Sequence, residues 1–381
     1  EQEEKERELQ EEESGEELED VKDSEGIFAK SFQWPVQQLA SRRRVVEELV
    51  GQLIQVYQEL SSGTSFPVLQ PPIGVDSTYE GWSPCVDDAI YRLLVPLKPG
   101  LGHAFYMEER ILEERPKRSF WIRVRGKCTC RREEPVPCFF HHLQERRRRR
   151  RRSHQLGILC TSSYLDVQKT VSWFQNFVRS VWGVRPKMRR YDLKMLPSTR
   201  SCKLQLTDIL GRTFVIDLIF GLQQGDSDIF LCSCSREATL TTNLTSPIGV
   251  DMAEVKLFWH ITRQVPHGSW HLKGLHICTQ ILSGTSFSAS ALKMVVMHLL
   301  ITTPLLGWCS RDFVLLEDIM QYLRCCLENK HLSHFFIGNE SIPEEISLPP
   351  GYEMAEPLNL FHGLTQDPAA YTKALSEFEV Y

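Results

Sequence analysis

The sequence lacks several features that would assign it at once to a common class of protein. No apolar run reaches about 18 residues, so no stretch forms an obvious membrane-spanning helix. No signal peptide is visible, and the 12 cysteines are scattered, which favours reduced thiols in a cytosol over secreted disulfides. P-loop, dinucleotide and nucleophile-elbow motifs are also absent. Because the chain begins at Glu1 and not at Met, we expect it to be part of a longer protein.

The charges are divided unevenly along the chain. Residues 1–25 carry 14 acidic and 3 basic residues, whereas the remaining residues carry 35 acidic and 41 basic residues. The net charge of −5 therefore combines a tail of about −11 with a mildly basic remainder of about +6. A segment so charged and so poor in apolar residues cannot form a core, so residues 1–30 are predicted to be an acidic disordered tail.

Hydrophobic periodicity predicts the helices. An apolar stripe that follows Ser41, the expected N-cap, predicts a long helix that ends at Gly63. A second stripe, from Val167 to Val181, predicts another helix. From Ala253 onward the pattern is helical almost to residue 336.

Apolar runs in the first half of the chain predict strands, which sets the fold class. The runs AIYRLLVPL, FWIRVRGKC, CKLQLTD, TFVIDLIFGLQ and DIFLCSC each have the length and composition of a strand. The predicted fold class is therefore α+β. Residues 31–238 form a mixed-sheet lobe with an N-terminal helix and an arginine-rich loop at 144–154, and residues 239–381 form a helical lobe.

Three acidic residues within or directly before the predicted strands are candidate metal ligands. Asp217 interrupts an otherwise apolar strand, where a lone carboxylate is costly without a cation or hydrogen bonds. Asp88 can face it from a neighbouring strand, but alternation places Asp87 on the opposite face unless a bulge intervenes. The alternative is structural: Asp87 and Asp88 cap a turn after Pro84, and Asp217 bonds to nearby backbone or to an arginine.

Three stretches carry a family resemblance. They are IGVDSTYEGWSPCVDDAIYRLLVPL, SCKLQLTDILGRTFVIDLIFGLQ, and SALKMVVMHLLITTPLLGW with its continuation LEDIMQYLRCCLENKHLSHFFIGNESI. Over residues 32–381 the chain resembles the nucleotidyltransferase fold of cyclic GMP-AMP synthase and the male-abnormal (Mab) family. Within that family it is most similar to the inositol trisphosphate receptor-interacting protein-like branch. The resemblance implies a bilobal nucleotidyltransferase-like fold in which the N-terminal helix is the spine helix.

The same resemblance implies that the catalytic site is incomplete. In active members a Gly-Ser turn holds the nucleotide phosphates, and three acids bind two metal ions. Gly74 matches the glycine, Asp88 the second acid and Asp217 the third, but Val75 replaces the serine and Val86 replaces the first acid. Two metal ions that share triphosphate oxygens need several negative ligands to offset their repulsion. The resemblance therefore implies a pseudoenzyme with vestigial nucleotide-binding residues and no cofactor.

The implied role is an interaction protein. The resemblance implies the cytosolic domain of a single-pass membrane protein, anchored by a segment absent from this chain, with an inositol trisphosphate receptor as a possible partner. The first alternative is an active nucleotidyltransferase that uses Mg²⁺ or Mn²⁺ on Asp88, Asp217 and a displaced Asp87 or Glu80. The second alternative is a sensor of polyanions such as nucleic acid or inositol phosphates.

A cysteine- and histidine-rich stretch is a candidate zinc site. Cys128, Cys130, Cys138 and His141 offer three thiols and an imidazole, the donor set of a tetrahedral zinc site. Their spacing is not that of a standard zinc finger. The alternative is a set of buried free thiols with exposed histidines, His142 among them.

Seven consecutive arginines form a basic run. It would contact phosphates of nucleic acid, inositol phosphates or lipid headgroups, although no aromatic residues interleave to stack bases. The alternatives are a disordered insert in a surface loop and a run screened by the acidic tail. The run consists of Arg146, Arg147, Arg148, Arg149, Arg150, Arg151 and Arg152.

Overall fold

A sheet-rich half precedes a helical half, which confirms the predicted α+β class. The two halves have separate hydrophobic cores. Within the residues the structure describes, no helix is both long and apolar enough to cross a membrane. The computed structural model describes residues 39–83, 89–111, 118–127, 156–232, 248–249, 251–264, 270–302 and 312–379.

The helices and strands are numbered in chain order. The helices are α1 (39–61), α2 (Ser77–Glu80), α3 (Val167–Val181), α4 (Asp251–Gln264), α5 (Trp270–Ile281), α6 (Ala289–Thr302), α7 (Asp312–Glu328), α8 (His362–Gln366) and α9 (Pro368–Phe378). The strands are β1 (Val68–Leu69), β2 (Ile73–Val75), β3 (Ile90–Lys98), β4 (His103–Ile111), β5 (Arg118–Gly126), β6 (Cys160–Thr161), β7 (Tyr164–Leu165), β8 (Asp192–Leu196), β9 (Cys202–Thr207), β10 (Thr213–Gln223), β11 (Phe230–Cys232) and β12 (Ile248–Gly249).

Both long helices of the sheet lobe form where the apolar stripes predict them, and the error concerns the start of α1. In α1, Leu39 is already helical and buried, seven residues before Val46, so Ser41 lies inside the helix and the prediction that it caps the helix is wrong. In α3 the cap is Asp166, whose side chain accepts from the Lys169 N–H. Val167 is 42 % exposed because it is the first residue of the helix, before the stripe turns toward the core.

The main sheet is built around β3 and β10, which lie side by side and parallel. Their continuous apolar runs indicate strands covered on both faces. Leu93 and Leu218 pack on the α1 and α3 side, whereas Leu94 and Ile219 pack against Val255 of α4. The face that carries Leu94 and Ile219 therefore points toward the helical lobe.

A second, four-stranded sheet is separate from the main sheet and has the strand order β4-β5-β7-β6. The hairpin β4–β5 pairs all nine residues of each strand, from His103 opposite Gly126 to Ile111 opposite Arg118. Phe105 and Leu165 pack on the core of the sheet lobe. Since side chains alternate along a strand, Tyr106 and its partner Arg123 lie on the opposite face.

The segment between α7 and α8 is irregular, which corrects the prediction of helix almost to residue 336. Helix α7 stops at Glu328, and Lys330 has a positive φ of 51°. The chain then pairs with a later segment: His334 N–H donates to the Leu358 carbonyl, and Leu360 N–H donates to the Leu332 carbonyl. Apolar residues at 335 and 336 are buried there without being helical, so their spacing misled the prediction.

Some predictions fall outside the described residues. The acidic tail at 1–30 is one of them, and the boundary between residues 238 and 239 is another. The domain limits therefore stay predictions.

Candidate functional site

One guanidinium joins two carboxylates on the sheet face that points toward the helical lobe. Arg92 and Asp217 are register partners on β3 and β10, and Arg92 Nε donates to Asp217 Oδ2 over 3.3 Å. A terminal nitrogen of Arg92 donates to Asp76 Oδ2 over 2.6 Å. The Asp217 side chain is only 2 % exposed. The structure thus matches the alternative in which Asp217 bonds to an arginine.

Asp76 has a strained backbone that directs its side chain into this cluster. Its φ of 86° and ψ of 166° lie in a region that is almost restricted to glycine and costs on the order of 1–3 kcal/mol. The side chain offsets part of that cost, because Oδ1 accepts from the Ser77 N–H over 2.6 Å while Oδ2 binds Arg92. Sequence reasoning missed Asp76 and Arg92, although both lie inside the stretch that carries the family resemblance.

Gly74 is required by packing. A Cβ added at Gly74 would lie 2.0 Å from a ring carbon of Tyr79, and Tyr79 is itself buried in the sheet lobe. The ring therefore occupies the space beside β2 that any larger residue would need. This gives a structural reason for the glycine, and the phosphate-turn role assigned to Gly74 and Val75 by resemblance stays a prediction.

A second cation between two carboxylates is buried where the two lobes meet. Lys293 of α6 has its ammonium nitrogen 2.5 Å from an oxygen of Glu80 and 2.5 Å from an oxygen of Glu254 on α4. The other Glu80 oxygen accepts from the Trp82 indole N–H over 2.6 Å. The ammonium also lies 5.6 Å from the centre of the Phe258 ring. Both oxygens of Glu80 are thus used, which argues against Glu80 as a displaced metal ligand.

Burial dominates the electrostatics of this triad. Desolvation raises the pKa of Glu80 to about 7, the positive charge of Lys293 opposes that rise, and the negative charge of Glu254 adds to it. Two carboxylates and one ammonium leave a net negative charge in an apolar environment, so a proton taken up by Glu80 makes the triad neutral.

The described residues do not form a site for two metal ions. Asp217 and Asp76 are both bonded to Arg92, and no three acidic, cysteine or histidine residues of the described ranges lie close enough to share one ion. One observation favours a ligand: Asp217 Oδ1 is buried, and no donor in the described part of the chain bonds to it. Val86, Asp87 and Asp88 lie in 84–88, outside the described residues, so the three-acid arrangement stays a prediction.

The remaining sequence candidates also fall outside the described residues. The proposed zinc ligands Cys128, Cys130, Cys138 and His141 lie in 128–155, as do His142 and the arginine run. Their roles therefore stay predictions.

Comparison with known proteins finds relatives that share one name. The chain is 32 % identical over 370 residues to inositol 1,4,5-trisphosphate receptor-interacting protein-like 1 of Mus musculus, which covers 93 % of this chain and 67 % of the mouse protein. The Rattus norvegicus protein of the same name is 30 % identical over 368 residues, with the same coverage. This chain belongs to the family of inositol 1,4,5-trisphosphate receptor-interacting proteins. No family model matches the sequence.

The receptor-interacting protein family also includes a more distant relative in humans. The inositol 1,4,5-trisphosphate receptor-interacting protein of Homo sapiens is 27 % identical over 367 residues, which cover 89 % of this chain and 66 % of the human protein. The matches to these receptor-interacting proteins span most of the chain, so the similarity extends through both lobes.

Proposed function

We propose that this chain is a protein-binding scaffold with a nucleotidyltransferase-like fold of the Mab type and no nucleotidyl transfer activity. Its proposed partner is an inositol 1,4,5-trisphosphate receptor, the partner in the names of its relatives. As the resemblance implies, the scaffold would lie on the cytosolic side of a membrane that it reaches through a single-pass segment outside this chain.

The observation that supports the proposed lack of nucleotidyl transfer is a cation, Arg92, already bonded to the candidate metal ligand Asp217. Arg92 binds Asp217, the acid that the resemblance assigns to metal, and also binds Asp76. A divalent ion about 4 Å from a guanidinium is repelled by about 8 kcal/mol at an effective dielectric constant of 20, twice the value for two unit charges. A metal ion at Asp217 must therefore displace Arg92 or overcome its charge.

Receptor binding is tested with purified components. The chain is immobilised, and full-length inositol 1,4,5-trisphosphate receptor in detergent micelles is passed over it, with an unrelated channel in the same detergent as the control. Saturable binding to the receptor alone supports the scaffold. Equal binding of both channels, or of neither, contradicts the assignment of the partner.

A metal-dependent nucleotidyltransferase is the second candidate, favoured by the buried Oδ1 of Asp217, which accepts no hydrogen bond from the residues that the structure describes. The melting temperature is followed with ATP or GTP in the presence of Mg²⁺ or Mn²⁺. A ligand at a hundredfold excess over its dissociation constant adds about 2.7 kcal/mol of stability. A metal-dependent shift that disappears in Asp217→Asn would favour the enzyme. No shift, together with receptor binding, supports the inactive scaffold.

A further inference from the structure

The outer face of the second sheet carries an unusual concentration of aromatic and arginine side chains. Cross-strand pairs place Tyr106 beside Arg123, Glu108 beside Trp121, and Tyr164 of β7 on the other side of Arg123. Tyr106 is 44 % exposed and Trp121 is 42 % exposed. We call this surface the aromatic–arginine face, formed by Tyr106, Glu108, Trp121, Arg123, Arg125 and Tyr164.

Glu108 holds the polar groups of the aromatic–arginine face in place. One of its oxygens accepts from Arg123 over 3.0 Å and lies 3.8 Å from an Arg125 nitrogen, and the other accepts from the Tyr164 hydroxyl over 2.7 Å. These bonds hold the pKa of Glu108 below its usual range, and the bond from Tyr164 has the largest effect. The carboxyl group therefore stays ionised. Arg123 is therefore oriented before any ligand arrives, and Arg123, Arg125 and Glu108 together carry one net positive charge.

The aromatic groups are organised by the same arginines. The Arg123 guanidinium carbon lies 5.9 Å from the centre of the Tyr164 ring, and that of Arg125 lies 5.6 Å from the centre of the Tyr106 ring. Trp121 packs edge-on against Tyr164 with ring centres 5.5 Å apart. Tryptophan, tyrosine and arginine are the residues that dominate binding energy at protein interfaces, and rigid side chains lose little entropy on binding.

We propose that the aromatic–arginine face is a docking surface for an acidic polypeptide, and that residues 1–25 of this same chain occupy it. Charge complementarity supports this occupant, since the segment has 14 acidic and 3 basic residues. Leu9, Leu18 and Val21 stand among those acids and supply apolar groups for Tyr106 and Trp121. The contact covers the face, so any external partner must displace the segment.

The connecting chain is long enough for this contact. Residues 26–38 separate the acidic segment from the first described residue of α1 and span up to about 45 Å when extended. A folded chain of about 340 residues has a radius of gyration of about 20 Å. A tethered segment acts at an effective concentration in the millimolar range, so a weak contact suffices to fill the face.

The test uses the whole chain of 381 residues in two forms. In one form the acids of residues 1–25 are replaced by Gln and Asn, and the other form is unchanged. A fluorescent synthetic peptide of sequence 1–25 is titrated into each, and its anisotropy is measured. We expect the neutralised chain to bind the peptide at least about tenfold more tightly than the unchanged chain, in which the tethered segment competes.

Variants of the neutralised chain locate the contact. Arg123→Gln with Arg125→Gln is expected to weaken peptide binding by about fivefold to thirtyfold, the loss of two exposed charge pairs, and Trp121→Ala by about fivefold. The matched control removes two exposed arginines from the helical lobe, Arg263→Gln with Arg324→Gln, and is expected to leave binding unchanged. Circular dichroism and the melting temperature confirm that each variant is folded.

Three outcomes overturn the proposal. Equal peptide binding by the unchanged and neutralised chains shows that the tethered segment does not occupy the face. Loss of binding on neutralising Arg146–Arg152, with the face variants unaffected, assigns the acidic segment to the arginine run. Tighter binding of a single-stranded DNA oligonucleotide than of the peptide at equal salt, lost in Trp121→Ala, makes the face a nucleic-acid surface.

Discussion

Two clusters in this protein have the same composition, one cation between two carboxylates, but they differ in burial and in what they join. The first cluster, Arg92 with Asp76 and Asp217, joins the main sheet to the start of α2, and its arginine side chain is 19 % exposed. The second cluster, Lys293 with Glu80 and Glu254, is almost fully buried and connects the lobes. Burial raises the pKa of Glu80 in the second cluster to about 7, so the buried triad can bind a proton near neutral pH.

Removing the cation from the buried triad should have the largest effect. In Lys293→Met the two carboxylates lose the ammonium between them, and breaking a buried ion pair costs about 3–5 kcal/mol. We expect the free energy of unfolding at pH 7, measured by urea titration, to fall by about that amount. The neighbouring volume-conserving change Leu292→Met is the control and should cost less than about 1.5 kcal/mol. Equal losses in both variants would contradict the ionic role of Lys293.

Removing the cation from the sheet cluster should cost somewhat less. Arg92→Met leaves Asp217 buried without this cation, but water reaches Arg92 and Asp76, so we expect a loss of about 2–4 kcal/mol by the same measurement. Arg92→Lys keeps the charge and loses the fork that binds both acids, so its loss should be smaller. Arg92→Met would also remove the repulsion of metal, and a new Mg²⁺-dependent rise in melting temperature would confirm that arginine blocks the site.

The pH dependence of stability should distinguish the two clusters. The pKa of Glu80 rises from 4.5 in the unfolded chain to about 7 in the fold, so between these values the native state binds more protons than the unfolded state. Stability therefore falls as pH rises from about 4.5 to 7, by at most about 1.4 kcal/mol per pH unit for one proton. Glu80→Gln should remove that contribution.

The comparison with Glu80→Gln is needed because buried histidines act in the opposite direction. Burial lowers the pKa of His271 and of His334 to about 4. Below pH 6.5 the unfolded chain therefore binds protons that the fold does not, and the free energy of unfolding falls as pH falls. These residues are unchanged in the variant, so the difference between the two stability–pH curves isolates Glu80. Parallel curves from pH 4.5 to 7 would show that Glu80 stays ionised in the fold.

The smallest effect should come from the exposed counterpart of these clusters. Glu108 also binds two arginines, but on the open face of the second sheet. We expect Glu108→Gln to leave the melting temperature within experimental error, since exposed ion pairs contribute little. A large loss of stability would show that burial is not what separates the three clusters.

The sequence predicted what depends on neighbours along the chain and missed what depends on distant contacts. Local periodicity predicted the apolar stripes of α1 and α3 and the buried strands β3 and β10. The two cation clusters were not, because Lys293 and Glu80 are separated by 213 positions and Arg92 and Asp217 by 125. The signal that remained was the isolated charge in each apolar stretch, Asp217 in FVIDLIF and Lys293 in ALKMVVM.

Helix ends and the final segment show the same limit. The chain after Glu328 has helical spacing of apolar residues, yet Asn359 accepts from the Leu332 N–H and donates to the Lys330 carbonyl, which satisfies that backbone without a helix. Candidate residues at 84–88 and 128–155 lie outside the described residues, so the metal and zinc hypotheses rest on sequence alone.

Helix α2 is a single turn with an acidic residue at each end, and each of the two carboxylates binds a different cation. Asp76 at its start is bound to the sheet through Arg92, and Glu80 at its end is bound to the helical lobe through Lys293. The turn is thus bonded to both halves of the molecule. A substitution that frees Asp76 from Arg92 therefore acts on the same turn that carries Glu80, so the two ion clusters are connected through four residues of backbone.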